Sequence, residues 1–385
     1  MSLRLDISIN YMNIRRFLVI IAVGVVMLPV SCKKDVTTQS SNIFKATPYT
    51  ISIPKFFPTI LNIPADNPMT VEGVTLGRYL YYDGRICGKK DTLMSCSSCH
   101  QQKYSFMNGA GYAYGTTGVK TSHIVLPHVN LVFNSNGYLW NGAVTPDNPF
   151  YHTPGTYGGN IEDIVWIAMT DVPEFASDTT KSKEAIQEIS IYPPMFKAAF
   201  GSDVVTFKNI AKAIAQFVRT LISSNSKFDR YLNGEENLSP SEMNGYVDFE
   251  TEVADCYHCH GTILLTTNDF YNNAKDSVFS DPFDRYSYTH NTSDIGAYRA
   301  STLRNIAYMA PYMHDGRFAA LDAVINFYSS GLVRSPYVSP QMYHISTGGT
   351  QMTPSQKADL KAFLLTLSDS TFITNPLFSK PPDLP

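Results

Sequence analysis

The apolar positions of this chain recur mainly with the period of a helix. Ile210, Ala213, Ile214, Phe217, Val218, Leu221 and Ile222 follow i, i+3, i+4, i+7 spacing and predict one amphipathic helix with a single apolar stripe. Ser239-Pro-Ser-Glu242 and Thr353-Pro-Ser-Gln356 both read as capping boxes with proline at the first helical position. The first predicts a helix leading into Cys256, and the second a helix carrying Leu360, Phe363, Leu364 and Leu367. A shorter apolar face, Leu321, Val324, Ile325 and Tyr328, is closed by Gly331. Between Gly109 and Gly159, glycine, proline and asparagine are dense, which predicts mostly ordered loop. The pattern points to a mostly α fold in which no 20–50-residue repeat is visible.

The amino terminus reads differently. Arg15 and Arg16 precede an apolar run from Phe17 to Val30, followed by Ser31 and Cys32. A basic flank, a short apolar stretch and a small residue before the cut predict a signal peptide over 1–31. The segment VMLPVSCKKD resembles a lipoprotein signal with Cys32 as the lipidated residue, although Pro29 replaces the usual leucine. A plainly cleaved exported protein is the alternative. Residues 32–50 are polar and predict a flexible tether. The chain of 385 residues is 44% hydrophobic and 12% aromatic, enough for about two cored domains. Its net charge of −3 argues against nucleic acid as a partner.

Cysteine spacing carries the chemistry. Cys96-Ser-Ser-Cys99-His100 and Cys256-Tyr-His258-Cys259-His260 share C-x-x-C-H, the pattern of covalent c-type haem attachment. Two thiols on one turn suit two thioethers, and the adjacent histidine reaches over the ring to give a nitrogen to iron. A four-ligand zinc site would want its two cysteine pairs a short loop apart, and a thioredoxin-like pair would sit in a βαβ pattern. Neither condition is met. His258, at a variable position, reads as a bystander at the haem edge. Cys87 reads as a small buried hydrophobe. The fold class is therefore mostly α, two cytochrome c-type haem domains with extended ordered loops. One domain is predicted over 51–205 and the other over 206–385, with the last helix packing on either.

Beyond the two haem motifs, the runs LGRYLYYDGRICG, VNLVFNSNGYLWNG, DVPEF, STLRNIAYMAPYMHDGRF, LDAVINFYSSG and TPSQKADLKAFLLTLSD resemble the bacterial di-haem cytochrome c peroxidase and MauG family. The resemblance spans about Gly73 to Phe378. It implies that His100 is the proximal ligand of a peroxide-reacting haem and His260 that of an electron-transfer haem. It places Trp140 between the haems and Glu174 as the acid over the open iron face, where a carboxylate would move the proton of the inner peroxide oxygen to the leaving one. From the residues alone, Trp140 reads first as a core or rim tryptophan and Glu174 as a surface residue after a helix. Tyr328 matches the position of a methionine ligand in the peroxidases and a tyrosine ligand in MauG. A core tyrosine is the other reading, and Met309, Met313, His314 and Met342 are fallback ligands.

Two departures stand out. The loop GYAYGTTGVKTS lacks the histidine that blocks the iron in many relatives, its nearest equivalent being Thr116, so an open iron is expected. His123 and His128 read as loop supports. The family also places a calcium ion between the haems. Its asparagine position falls near Ile124 here, leaving backbone carbonyls around Met309 and Pro311 as ligands. The expected activity is reduction of hydrogen peroxide with electrons from a small cytochrome. The rivals are a MauG-like oxidase of a protein or organic substrate and a non-enzymatic two-haem carrier. An exported, lipid-anchored, periplasmic protein is expected, and dimers are common in the family.

Overall fold

The structure is a computed structural model that describes residues 44–146, 148 and 158–384. The signal segment, Cys32 and residues 33–43 of the tether lie outside the described residues. From Phe44 to Pro385 the chain forms one compact unit by contact. Among the described residues no helix is long and apolar enough to cross a membrane.

The helices are α1 (Val71–Tyr82), α2 (Cys96–Cys99), α3 (Ile161–Thr170), α4 (Thr179–Gln187), α5 (Tyr192–Phe200), α6 (Phe207–Arg219) and α7 (Lys227–Asn233). They continue with α8 (Pro240–Phe249), α9 (Tyr257–His260), α10 (Tyr286–Thr289), α11 (Leu321–Ser330), α12 (Pro354–Leu365) and α13 (Ser370–Thr374). Both predicted capping boxes form: Ser239 and Thr353 each accept from the backbone three residues on, and Glu242 and Gln356 reach back. Leu321, Ile325 and Phe327 are the buried face of α11, which ends at Gly331. The glycine-rich stretch hides a short antiparallel ribbon, β1 (Tyr112–Tyr114) with β2 (Lys120–Ile124), where loop was expected. A second small ribbon pairs β3 (Phe270–Tyr271) with β4 (Tyr298–Arg299).

Two helix pairs organise the two main cores. In the first, α1 crosses α6; in the second, α8 crosses α12. Each crossing is closed by a glycine. A Cβ at Gly77 would lie 1.9 Å from the Ala213 carbonyl, and one at Gly245 would lie 1.9 Å from the Asp359 carbonyl. Only hydrogen fits at either point. In both pairs the leading helix runs into a C-x-x-C-H turn, so the chain uses one arrangement twice without a repeated sequence. This moves the expected boundary. Helix α6 lies beyond 205 yet supplies the first core with Ile210, Ile214, Phe217 and Leu221, because its stripe closes over α1. The expected tether end moves as well. Tyr49 N–H donates to Met69 O at 3.0 Å and Thr47 N–H to Glu72 Oε2 at 2.9 Å, tying residues before 50 to the entry of α1.

The end of the chain returns to the first core. Helix α12 stays on α8, but Phe372 of α13 meets Phe106 edge-to-face at 5.5 Å. Gln102 Nε2 donates to Phe372 O, Arg78 Nε to Ser379 O and Tyr82 Oη to Phe378 O.

A buried ion pair joins α3 to α6. Arg219 Nη1 and Nη2 each lie 2.8 Å from a Glu162 oxygen, and both side chains are fully buried. Arg219 Nε also donates to Asn62 O, and Asn67 donates to Glu162. Arg219→Met would strand a buried carboxylate, so a loss of about 3–5 kcal/mol is expected in urea unfolding of the haem-loaded protein. Removing both charges, in Arg219→Met with Glu162→Leu, should restore much of it.

Candidate functional site

Each C-x-x-C-H segment is a single helical turn at the end of a short approach, α2 for Cys96–Cys99 and α9 for Cys259 and His260. His100 N–H donates to Cys96 O at 2.8 Å and His260 N–H to Cys256 O at 3.0 Å. Their rings are held the same way. His100 Nδ1 lies 2.9 Å from Phe106 O, and His260 Nδ1 lies 3.1 Å from Leu265 O. A carbonyl can only accept, so Nδ1 carries the proton in both and Nε2 keeps its lone pair. The two carbonyls come from residues in the left-handed region, Phe106 at φ 60° and Leu265 at φ 53°. Burial lowers both imidazoles to about 4, which keeps them neutral, the form that binds a metal. The four motif thiols are free. Burial pushes Cys96 and Cys259 up to about 12 and Cys99 to about 11. Free thiols beside an oriented, neutral imidazole are the donor set that haem c requires, and it occurs twice.

A cavity of about 730 Å³ opens beside the first turn. Cys96, Cys99, His100, Trp140 and Glu174 line it, and so do Leu264, Thr266 and Arg299 from the second half of the sequence. It therefore lies where the halves meet. Glu174 sits in the turn after α3, enclosed by protein except toward the cavity. Burial, with a smaller push from Asp171, raises its carboxyl to about 7. The β1–β2 turn braces that segment: Thr116 N–H donates to Glu174 O at 2.8 Å and Thr116 Oγ1 to Phe175 O at 2.5 Å. A Cβ at Gly115 would meet Glu174 O at 2.2 Å, so the turn can approach only as glycine. Thr116, the residue nearest to where the resemblance would expect a blocking histidine, is thus a small side chain bonded to the backbone beside Glu174.

Trp140 is partly buried, its indole Nε1–H donating to Ile124 O at 2.9 Å and its ring edge-on to His314 at 6.4 Å. Arg299 N–H bonds Trp140 O at 2.8 Å, so the residue links the two halves through its backbone as well. Ile124 N–H donates to His314 O at 3.0 Å, and the Ile124 carbonyl accepts from the indole, so this segment ties Trp140 to the His314 backbone.

Tyr328, on α11, is enclosed near the second turn, where burial holds its phenol well above the usual range and the Cys259 and Cys256 thiols add to the effect. Asn273 Nδ2 donates to its Oη at 3.0 Å, which opposes the rise by favouring the phenolate. The same amide lies 3.6 Å from Met313 Sδ. Of the fallback ligands, Met313 alone shares a polar partner with Tyr328. Met309 is buried against Met107 and Ile124, and His314 stacks on Tyr298 at 3.5 Å.

Several residues of this region escaped the sequence reading. His128, expected as a loop support, stacks on His100 with centroids 3.7 Å apart and meets Tyr81 Oη through Nδ1 at 3.2 Å. His123 and Tyr298 both bond Asp281 Oδ2 at 2.6 Å, beside Trp140 and His314. Cys87, by contrast, is buried as expected, its thiol donating to Thr92 O.

The same donor set, one that suits a c-type haem, occurs at both turns, and comparison with known proteins points to the same class. The family model described as di-haem cytochrome c peroxidase matches residues 71–237. Cytochrome-c peroxidase IdrP1 of Denitromonas iodatirespirans is 28% identical over 358 residues, covering 84% of this chain and 87% of the relative. Methylamine utilization protein MauG of Methylorubrum extorquens is 27% identical, covering 79% of this chain and 80% of the relative. The crystal structure of a MauG-like protein associated with microbial copper homeostasis superposes with a TM-score of 0.76 at 30% identity, over 86% of this chain and 99% of that one. The chain belongs to the di-haem cytochrome c peroxidase family.

Proposed function

We propose that this protein is an exported di-haem peroxidase that reduces hydrogen peroxide to water. The carrying observation is Glu174, a carboxyl raised to about 7 that opens onto the cavity lined by Cys96, Cys99 and His100. Cys96, Cys99 and His100 would hold one haem, and Cys256, Cys259, His260 and Tyr328 the other. When bound, the haems supply iron for peroxide reduction and a route for electrons. Glu174 as carboxylate accepts the proton from the inner peroxide oxygen and returns it to the outgoing oxygen, which leaves as water. Two electrons and two protons complete the conversion to a second water. Trp140, hydrogen-bonded to Ile124 and lying between the halves, is the residue placed to carry charge from one site to the other. A small cytochrome is the proposed donor, and Cys32 the proposed lipid anchor on the periplasmic side. Calcium is not part of this proposal.

Thr116 in place of a blocking histidine predicts an iron at His100 that is open without prior reduction. EPR of the oxidised, haem-loaded protein should give one high-spin and one low-spin ferric signal. Two low-spin signals would reject the reading and favour an electron carrier. Tyr328 beside the second turn favours a second reading, a MauG-like oxidase of a larger substrate, which peroxide-dependent oxidation without a cytochrome donor would reveal.

A further inference from the structure

A row of aromatic rings leads away from Trp140 and ends on a carboxylate. The indole stands edge-on to His314 at 6.4 Å, and the His314 ring lies flat on Tyr298, centroids 3.5 Å apart and planes 16° apart. One imidazole is all that lies between indole and phenol along this row. Tyr298 Oη donates to Asp281 Oδ2 at 2.6 Å, and His123 Nε2 meets the same oxygen at 2.6 Å. The other oxygen, Oδ1, accepts from Phe283 N–H at 2.9 Å, so the carboxylate is held from both sides. Burial and the bond to Asp281 raise the Tyr298 phenol well above the usual tyrosine range. Burial works against ionisation of Asp281, but the bonds from His123 and Tyr298 outweigh it and hold this carboxyl well below the usual range. The backbone laces the group together: Arg299, next to Tyr298, bonds Trp140 O, and Ile124, next to His123, bonds His314 O. The Asp281 side chain is 29% exposed, so this end of the row reaches solvent, while Trp140 lines the inner cavity.

We propose that Tyr298 is a redox-active residue that links Trp140 to the protein surface, with Asp281 as its proton acceptor. The inference rests on the peroxidase reading, because the peroxide-oxidised haem protein is the oxidant that Trp140 passes on. In the forward step oxidised Trp140 takes one electron from Tyr298 across the His314 ring. The phenolic proton moves to Asp281 Oδ2 in the same step, leaving a neutral phenoxyl radical and a restored indole. The one-electron donor of the reaction returns an electron at this edge, and Asp281 returns the proton. Three features carry this. An oxidised phenol is a far stronger acid than any carboxylic acid, so Tyr298 can be oxidised readily only where a base waits within hydrogen-bond reach, and Asp281 is there. The bond is short and charge-assisted, which fixes the path of the proton before any electron moves. A tyrosine that served packing alone would need only a polar partner for its hydroxyl, not an ionised carboxylate held in place by a second ring.

The test is freeze-quench EPR of the haem-loaded protein mixed with hydrogen peroxide. A tyrosyl signal should form in the parent and vanish in Tyr298→Phe, leaving a tryptophan-type signal in its place, with the haem absorption spectrum of the resting protein unchanged. Asp281→Asn keeps a hydrogen-bonding side chain but no base, and should slow formation of the tyrosyl signal by about tenfold or more. Tyr286→Phe, at a partly exposed tyrosine elsewhere, should change nothing. If Asp281→Asn does not fold, Tyr298→Phe decides alone. A tyrosyl signal of equal size in Tyr298→Phe, or none in the parent while its haem spectrum responds to peroxide, overturns the proposal. Haem spectra that ignore peroxide would instead sink the peroxidase reading. A flash-generated ruthenium(III) oxidant then replaces peroxide, and the same comparison of parent with Tyr298→Phe decides.

Discussion

Glu174→Gln should lower peroxide turnover by about 10²–10⁴-fold while both haems remain attached, because the amide can neither take nor return the proton. Steady-state peroxide consumption, with haem content read from the absorption spectrum, checks this; unchanged turnover would remove Glu174 from the mechanism. The pH profile sharpens the expectation. Burial moves this carboxyl from 4.5 to about 7, so the base form is lost as pH falls through about 7, and turnover of the parent protein should fall with it. Stability should run the other way. A carboxyl whose folded pKa is raised favours the folded state when protonated, and that advantage, about 3 kcal/mol in full, disappears as pH rises from about 4.5 to 7. Glu174→Gln escapes this cost. At pH 8 the variant should be the more stable and the less active protein, a pairing expected of a group retained for chemistry and not for folding.

The second large effect is expected at Tyr328. If its phenolate completes the coordination of the His260 haem, Tyr328→Phe removes a ligand without removing the ring, and the low-spin ferric EPR signal should give way to a high-spin one. Tyr328→Met should restore a low-spin signal and raise the midpoint potential of that haem, because an anionic oxygen stabilises the ferric state and a thioether the ferrous one. Potentiometric titration separates the two variants. A low-spin signal that survives in Tyr328→Phe would pass the role to Met313, whose sulfur shares the Asn273 amide with Tyr328.

The sequence made the local devices legible and left the long-range ones hidden. Ser239-Pro-Ser-Glu242 and Thr353-Pro-Ser-Gln356 name their helices because a cap is satisfied within four residues. The C-x-x-C-H motifs are visible for the same reason. The stripe of Ile210 to Leu221 announced a helix but not its partner, since an apolar face carries no address. Its closure over Gly77, far back in the chain, is why the first core outruns the expected boundary at 205. The enclosure of Glu174 depends on Gly115 and Thr116 folding across from a ribbon that was read as loop, so no local signal could report it. The stacking of His128 on His100 is likewise a product of packing, although a histidine between Pro127 and Val129 in an apolar run, read as a loop support, was a sign that it goes inside.

The path of the last residues bears on the order of assembly. Phe372, Phe378 and Ser379 fasten onto Phe106, Tyr82 and Arg78, so the first core is sealed by residues made long after the helix they close on. The second core waits nearly as long, because α12, made only just before Phe372, must pack on α8. A polypeptide halted between Leu367 and Phe372 would hold every buried residue of the second core yet lack the residues that latch the first.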